Sequence, residues 1–383
     1  MSQTRNVFFC ILTFVAFCTV AQALQVQVYP GDRVYVQMSN PRHNYVDLLI
    51  HNIVFVNDSD QAIDIDHATV ELLQGDAVVE SRILSRDEIQ KTTAEISKNG
   101  QLATGQFDTD FPWTQLQDQK VELSGSAHLT EHQAAAIKNV FLTVQGIPTS
   151  IRIRATAKDS SGNVEATAQV PIVQNKSSNQ YHFPLHGIWY ARSIPNITSH
   201  HRWNTQTEFA VDFWKLGENG WIWKTDGQNG TDFYGFGQPV LAAADGVVVK
   251  AEGSAVQDYD AMLQKKDETD EQFDARLTKY MTEKMKTDPY KSGLGNFIVI
   301  QHAGGEYSCY DHLKTNSVTV KEGDHVTAGQ QIAEVGDSGD TYLVHLHFQI
   351  SDGPDPLKAR SVPFKFVDVP PSDSDLGIIM RGH

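Results

Sequence analysis

The chain has 383 residues, of which 40% are hydrophobic, and a formal net charge of -16 at pH 7. This length and composition predict two or three globular domains, each large enough to bury a core. The acidic balance argues against a general nucleic-acid binder, which would need a basic surface.

The first predicted element is a secretory signal peptide over residues 1–23. Arg5 precedes an apolar run over 7–20, and Ala21-Gln22-Ala23 fits the small-x-small rule for cleavage. We therefore expect a secreted or periplasmic protein of the cell envelope, with no membrane span after the signal is removed. An uncleaved anchor is the alternative, although the apolar run is short for a bilayer span.

Residues 24–174 predict a β-sandwich of the immunoglobulin-like kind. The alternation of apolar and polar residues over 34–38 and 151–157 is typical of short antiparallel strands. A capping-box pattern predicts one helix, over 86–98. We find no catalytic constellation in this half, and we interpret its scattered histidines, including His51, as surface or structural residues.

A change of composition predicts a second domain after a polar segment. Residues 175–200 are interpreted as a linker and lead-in, 201–370 as an all-β, mainly antiparallel domain, and 371–383 as a tail. A charged helical segment over 254–292 interrupts the strand-and-turn pattern of this domain. We interpret it as a helical insertion packed beside the β core, with a lid as the alternative.

The strongest chemical signal is His345-Leu346-His347, within the run V-H-L-H-F-Q-I. The alternating apolar residues predict a half-buried strand, so that His345, His347 and Gln349 share the other face. One imidazole on such a strand can bind a metal while the other transfers protons. Two surface histidines on an edge strand are the alternative interpretation.

Three further blocks accompany this run: residues 208–213, the segment 237–248, and Tyr310-Asp311-His312-Leu313. In order and wording the four blocks resemble the lysostaphin-type (LytM-like) zinc metallopeptidases, which are peptidoglycan endopeptidases with the duplicated hybrid motif fold. The likeness covers residues 207–350 without the helical insertion.

This resemblance implies a site with one Zn²⁺ per chain. Carried over by motif, Asp212 and His347 become metal ligands, and His312 and His345 become the catalytic pair. In such a site one imidazole takes a proton from water and the other stabilises the developing oxyanion. The sequence leaves the two roles open, and we favour His345 as the base.

Glu208 departs from the family pattern, because a ligand histidine is expected there, four residues before Asp212. In a strand this spacing would put both carboxylates on one face. A carboxylate can bind zinc, so the predicted ligands are Glu208, Asp212 and His347. Two carboxylates would make the ion a poorer Lewis acid. The alternatives are that His200 or His201 replaces Glu208, or that no functional metal is bound.

The resulting hypothesis is an exported zinc metalloendopeptidase that cleaves peptide bonds in peptidoglycan cross-links or stem peptides. The alternative is a catalytically impaired LytM-like envelope protein that binds and regulates cell-wall hydrolases. In either case the expected partners are peptidoglycan or a peptide, and an envelope protein held by the N-terminal domain. A third interpretation, an adhesion module centred on the sandwich, leaves the clustered histidines unexplained.

Overall fold

The computed structural model describes residues 23–40, 44–100, 111–174, 177–192, 199–341, 343–369 and 378–382. The predicted signal peptide lies outside these ranges, except for its last residue. Among the described residues, no helix has both the length and the apolar character needed to cross a bilayer.

The structure is built mainly from β-strands, with five α-helices and three short 3-10 helices in the described ranges. The strands are β1 (Leu24–Tyr29), β2 (Val34–Asn40), β3 (Tyr45–Asn57), β4 (Ile63–Gln74), β5 (Ala77–Ser85), β6 (Glu122–Leu123), β7 (His128–Leu129), β8 (Gln133–Gln145), β9 (Ser150–Asp159), β10 (Gly162–Val173), β11 (Gly187–Arg192), β12 (Val211–Lys215), β13 (Pro239–Leu241), β14 (Gly246–Glu252), β15 (Asn296–Gln301), β16 (Tyr307–Leu313), β17 (His325–Val326), β18 (Gln331–Glu334), β19 (Leu346–Ser351) and β20 (Ile378–Gly382). The helices are α1 (Arg86–Gly100), α2 (Trp113–Asp118), α3 (Tyr259–Met262), α4 (Asp270–Thr287) and α5 (Pro289–Gly293), with 3-10 helices at His200–Trp203, Gly230–Asp232 and Ala303–Gly305. The expected all-β, mainly antiparallel fold class with a helical insertion is confirmed.

The N-terminal half consists of two groups of antiparallel strands around one core. One group contains β1, β2, β3 and β8, the other contains β4, β5, β9 and β10, and the two meet where β10 runs parallel to β2. Apolar side chains from both groups, such as Phe55 and Ile153, are fully buried in the same cluster. The helix α1 begins where the Glu88 amide donates to Ser85 Oγ at 3.2 Å, as its capping pattern predicted.

The C-terminal half is organised around an eight-stranded sheet in the order β17-β14-β15-β16-β19-β12-β11-β20. Its last two strands come from segments that the sequence analysis assigned to the lead-in and the tail. They join the sheet because β11 carries Trp189 and Ala191, which are fully buried in the core of this half. The described sheet therefore begins before residue 201 and ends after residue 370.

The helical insertion contains α3, α4 and α5 and connects β14 to β15. Its two ends are tied together by Asn296, whose side-chain amide donates to the carbonyl of Ala255 at 2.9 Å and accepts the Ala255 amide at 2.7 Å. The helix α4 begins at a capping box formed by Thr269 and Gln272, and none of its residues is buried. The insertion is therefore a surface element anchored at its base.

Strand alternation on β19 places apolar side chains on one face and polar side chains on the other. Leu346, Phe348 and Ile350 point into the C-terminal core, and His347 and Gln349 lie on the opposite face. The ring of Phe348 packs against Tyr310, with 5.1 Å between ring centroids. The core thus fixes the strand that carries the histidines.

Replacing Phe348 with alanine should lower the free energy of unfolding by about 3–5 kcal/mol, because a fully buried ring leaves a cavity. Urea unfolding followed by tryptophan fluorescence measures this change. The matched control is Ile188→Ala on β11, whose side chain is 48% exposed, and it should change stability by less than about 0.5 kcal/mol. Equal effects of the two substitutions would contradict the core assignment.

Candidate metal centre

Three neighbouring strands place a row of polar side chains on one face of the C-terminal sheet. His347 on β19 is directly opposite Asp212 on β12 and directly opposite Asp311 on β16. Directly opposed residues of antiparallel strands present their side chains on the same face. The register therefore brings together two carboxylates and an imidazole from segments far apart in the sequence.

The Asp212 carboxylate is the hub of this cluster and is only 3% exposed. Its Oδ1 lies 3.2 Å from His347 Nδ1 and 3.5 Å from His345 Nε2, and its Oδ2 lies 3.6 Å from His201 Nε2. Burial alone would raise the pKa of Asp212, but the facing imidazoles hold it well below its usual range. Asp212 is therefore an ionised carboxylate surrounded by nitrogen ligands.

His347 bridges Asp212 and the polar groups behind it. Its Nε2 donates to Gln349 Oε1 at 3.0 Å and lies 3.9 Å from Asp311 Oδ2. Burial would lower the pKa of His347, but its hydrogen bond to Asp212 and the neighbouring carboxylates raise it to about 9. Because Gln349 accepts the Nε2 proton, Nδ1 is the atom directed toward the centre of the cluster. At this pKa Nδ1 carries a proton near pH 7, and it would have to release that proton to bind a metal.

His345 and His312 are oriented by the backbone. The Nδ1 of His345 donates to the carbonyl of Leu343, and the Nδ1 of His312 donates to the carbonyl of Ser338, both at 2.8 Å. Burial lowers the pKa of both rings, so each is neutral near pH 7 with its lone pair on Nε2. The ring centroids are 4.7 Å apart.

A backbone irregularity turns His312 toward the site. Strand alternation would place it on the face opposite to Asp311, but His312 has a φ of 62°, in the left-handed region. The pairing of β15 and β16 also shifts register here, between Asn296 and Ile298. Such a bulge re-aims a side chain, and positive φ at a non-glycine residue marks a site where strain is retained.

His201 reaches the cluster from the 3-10 helix His200–Trp203, before β12. Its ring is 4.8 Å from that of His347, and ligand atoms of His200, His201 and Asp212 lie within 4.8 Å of one another. Burial lowers the pKa of His201 to about 3, so the ring is neutral, as a metal ligand must be. His200 is exposed, whereas His201 is buried.

Glu208 is not placed where the sequence analysis expected it. Its Oε1 lies 2.9 Å from Arg202 Nη1, and its Oε2 lies 3.0 Å from Nε2 of His51, which is on β3 of the N-terminal half. The expectation assumed a strand from residue 208, but β12 begins at Val211, so alternation does not extend back to Glu208. The structure instead offers the alternative ligand, His201.

The donor atoms fit a zinc ion. His201 Nε2, an Asp212 oxygen and His347 Nδ1 are the nitrogen and oxygen types that zinc binds. The observed contacts join His347 Nδ1 to Asp212 Oδ1 at 3.2 Å and His201 Nε2 to Asp212 Oδ2 at 3.6 Å. The three side chains therefore have the donor chemistry of a zinc site and converge on the two oxygens of one carboxylate.

Asp311 is a site residue that the sequence analysis missed. Cys309 Sγ donates to its Oδ1 at 2.9 Å, and burial raises the pKa of Asp311 to about 6. Its position next to His312 in the sequence is a weak indication that it lies near the site. Only the pairing of β16 with β19 shows that it faces His347. Gln349, by contrast, lies on the face that strand alternation assigned to it.

Comparison with known proteins supports the family resemblance. The family model described as "Peptidase family M23" matches residues 282–359, which include His312, His345 and His347. "Murein hydrolase activator NlpD" of Salmonella typhimurium is 26% identical over 235 residues, covering 60% of this chain and 51% of that protein. "Outer membrane antigenic lipoprotein B" of Histophilus somni is 28% identical over 234 residues, covering 60% and 56%. The chain thus spans about half the length of these relatives.

Solved structures of peptidases also align with the chain. The catalytic domain of lysostaphin from Staphylococcus simulans is 22% identical and covers 48% of this chain and 88% of that one, with a TM-score of 0.23. A zinc-containing peptidase from Vibrio cholerae is 12% identical and covers 84% and 82%, with a TM-score of 0.26. Over residues 282–359 the chain thus matches peptidase family M23, the lysostaphin and LytM family that the motifs resemble.

Proposed function

We propose that the protein is a zinc-dependent peptide hydrolase of the cell envelope that acts on peptide bonds of peptidoglycan. The observation that carries this proposal is the arrangement of His312 and His345. Each ring is fixed by a backbone carbonyl at Nδ1, and each leaves Nε2 available beside the Asp212 cluster. Two oriented, neutral imidazoles beside side chains that can bind a metal are the groups that a metallopeptidase needs for proton transfer.

His201, Asp212 and His347 would hold the zinc ion, with His201 in place of Glu208. When bound, the ion would polarise the peptide carbonyl and make a water molecule more acidic. Gln349 and Asp311 lie on the Nε2 side of His347 and keep its Nδ1 directed at Asp212, where it would be available to an ion. This outer layer fixes the ring that β19 supplies.

The two remaining histidines would handle protons. His345 Nε2 lies 3.5 Å from Asp212 and is unprotonated near pH 7, so it can take the proton of the attacking water and pass it to the leaving amine. His312 Nε2 is also an acceptor in the resting site. It could stabilise the oxyanion only after gaining a second proton, which developing negative charge nearby would favour.

A second candidate function is activation of other murein hydrolases. Similarity to the Salmonella protein named as such an activator favours it, and the comparisons support it more directly than hydrolysis. The closed site also favours it, because Asp212, His345 and His347 are 3%, 7% and 5% exposed. The names of the relatives as envelope lipoproteins support an exported location for either function.

The first prediction concerns the metal. Mature protein should bind about one zinc ion, and His201→Ala or His347→Ala should weaken zinc affinity by more than the roughly 10–100-fold that an outer-layer change costs. Competition with a chromophoric chelator, with metal analysis, measures this. His67→Ala, at a partly exposed histidine paired with Asp66, should leave affinity unchanged. Wild-type protein that binds no zinc would refute the proposed site.

The second prediction separates hydrolase from activator. Wild-type protein with zinc should release peptide fragments from purified peptidoglycan, and His345→Ala should slow this about 10²–10⁴-fold while zinc stays bound, because only the proton acceptor is lost. Mass analysis of fragments, with and without chelator, provides the measurement. If wild-type protein releases no fragments but accelerates a purified murein hydrolase, the activator function is correct.

A further inference from the structure

A buried triad of polar side chains joins the two halves of the chain next to the segment that carries His201 and Asp212. It consists of His51 on β3, Glu208 in the turn before β12, and Arg202 in the 3-10 helix that carries His201. We propose that this triad makes the N-terminal domain a positioning element of the metal centre, with His51 holding the His201 turn through Glu208 and Arg202. The proposal rests on the proposed function in taking His201 as a ligand.

The triad is isolated from water and depends on its own members. Arg202, His51 and Glu208 are 0%, 2% and 3% exposed. One oxygen of Glu208 forms an ion pair with Arg202 Nη1 at 2.9 Å, and the other accepts a hydrogen bond from His51 Nε2 at 3.0 Å. Within the described part of the chain, His51 Nδ1 and the three guanidinium nitrogens of Arg202 have no hydrogen-bond partner. A buried charge without its counter-charge is strongly destabilised, so loss of Arg202 or Glu208 must displace the other. Loss of His51 removes the N–H donor of one buried Glu208 oxygen, which is also costly.

Arg202 transmits this constraint to His201 through the backbone. The two residues are adjacent in a four-residue 3-10 helix, in which the Arg202 amide donates to Ser199 and the Asn204 amide donates to the carbonyl of His201. Thr207 Oγ1 donates to the same carbonyl at 3.2 Å. In so short a turn, a guanidinium fixed at one residue fixes the direction of the neighbouring side chain.

Aromatic packing closes the interface around the triad. Tyr35 of β2 lies edge-on to Phe209, with 6.1 Å between centroids, and the Arg202 guanidinium lies 5.2 Å from the centre of the Phe209 ring. Arg360 donates to Asp32 at 2.8 Å at the exposed rim. His51 therefore belongs to an organised contact between the halves, although its sequence context marked it only as a structural histidine.

The departure of Glu208 from the family pattern is what allows this chain to form the triad. It occupies the position where the family pattern has a ligand histidine, yet it faces the N-terminal half. A carboxylate there can neutralise Arg202 and accept the His51 N–H, which an imidazole facing a metal could not do. The substitution thus converts a ligand position into an anchor, and the turn carrying His201 supplies the missing ligand.

The test measures zinc affinity of the full mature chain by chelator competition. His51→Leu, which fills the volume without an N–H, and Glu208→Gln, which removes the charge, should each weaken zinc affinity about 10–100-fold. His51→Gln restores an N–H donor and should return affinity to near the wild-type value. Asp32→Ala, which removes the exposed contacts with Arg33 and Arg360 but none within the triad, is the matched control and should leave affinity unchanged.

The outcomes are distinct from those of the proposed function. If His201→Ala weakens binding but His51→Leu and Glu208→Gln do not, the metal site stands and the positioning role is overturned. If Glu208→Gln abolishes binding while His51→Leu has no effect, Glu208 is a ligand and the anchor is refuted. Should His51→Leu fail to fold, as judged by circular dichroism, the size of the Glu208→Gln effect decides: a roughly 10–100-fold loss of zinc affinity supports the anchor, whereas complete loss or no change refutes it.

If wild-type protein binds no zinc, the proposed function fails and a second readout decides the inference. The imidazole ¹⁵N signals of His201, assigned by their loss in His201→Ala, should shift in His51→Leu and return in His51→Gln. Signals that stay unchanged in His51→Leu would overturn the positioning role.

Discussion

The buried carboxylate of Asp212 is the constraint on which the site depends. An isolated ionised carboxylate at 3% exposure would be strongly unfavourable, and it is tolerated because imidazoles face both of its oxygens. Those imidazoles come from β19 and from the 3-10 helix before β12. The need to compensate one charge therefore couples a strand in the middle of the sheet to a turn outside it, and a bound cation would take over that compensation.

This view revises the expected charge of the centre. A ligand set of Glu208, Asp212 and His347 would carry two negative charges and cancel those of a zinc ion, which would make it a poor Lewis acid. With His201 as the third ligand, as proposed, the set would carry one negative charge and a bound zinc ion would retain a net positive charge. The substitution at position 208 therefore does not by itself imply a weak catalyst.

Sequence patterns predicted those parts of the site that depend on local periodicity. Alternation along V-H-L-H-F-Q-I gave the shared face of His347 and Gln349, because that face is set by strand geometry alone. The residues that were misplaced or missed depend on non-local facts. Glu208 depended on where β12 begins, Asp311 on the register of β16 with β19, and the orientation of His312 on a bulge opposite Phe297. None of these three features produces a periodic pattern of apolar and polar residues that could be recognised in the sequence.

The position of Glu208 is set by the contact between the two halves of the chain and not by the Asp212 cluster. Its carboxylate is as buried as that of Asp212, four residues later, but its partners are Arg202 and His51 rather than the clustered histidines. Two carboxylates of one short segment therefore face opposite directions. Glu208 faces the N-terminal half, and Asp212 faces the clustered histidines. The irregular turn before β12 makes this possible, since a continuous strand would have directed both carboxylates to the same face. The break in the strand, more than the change of residue type, is what separates anchoring from metal chemistry in this chain.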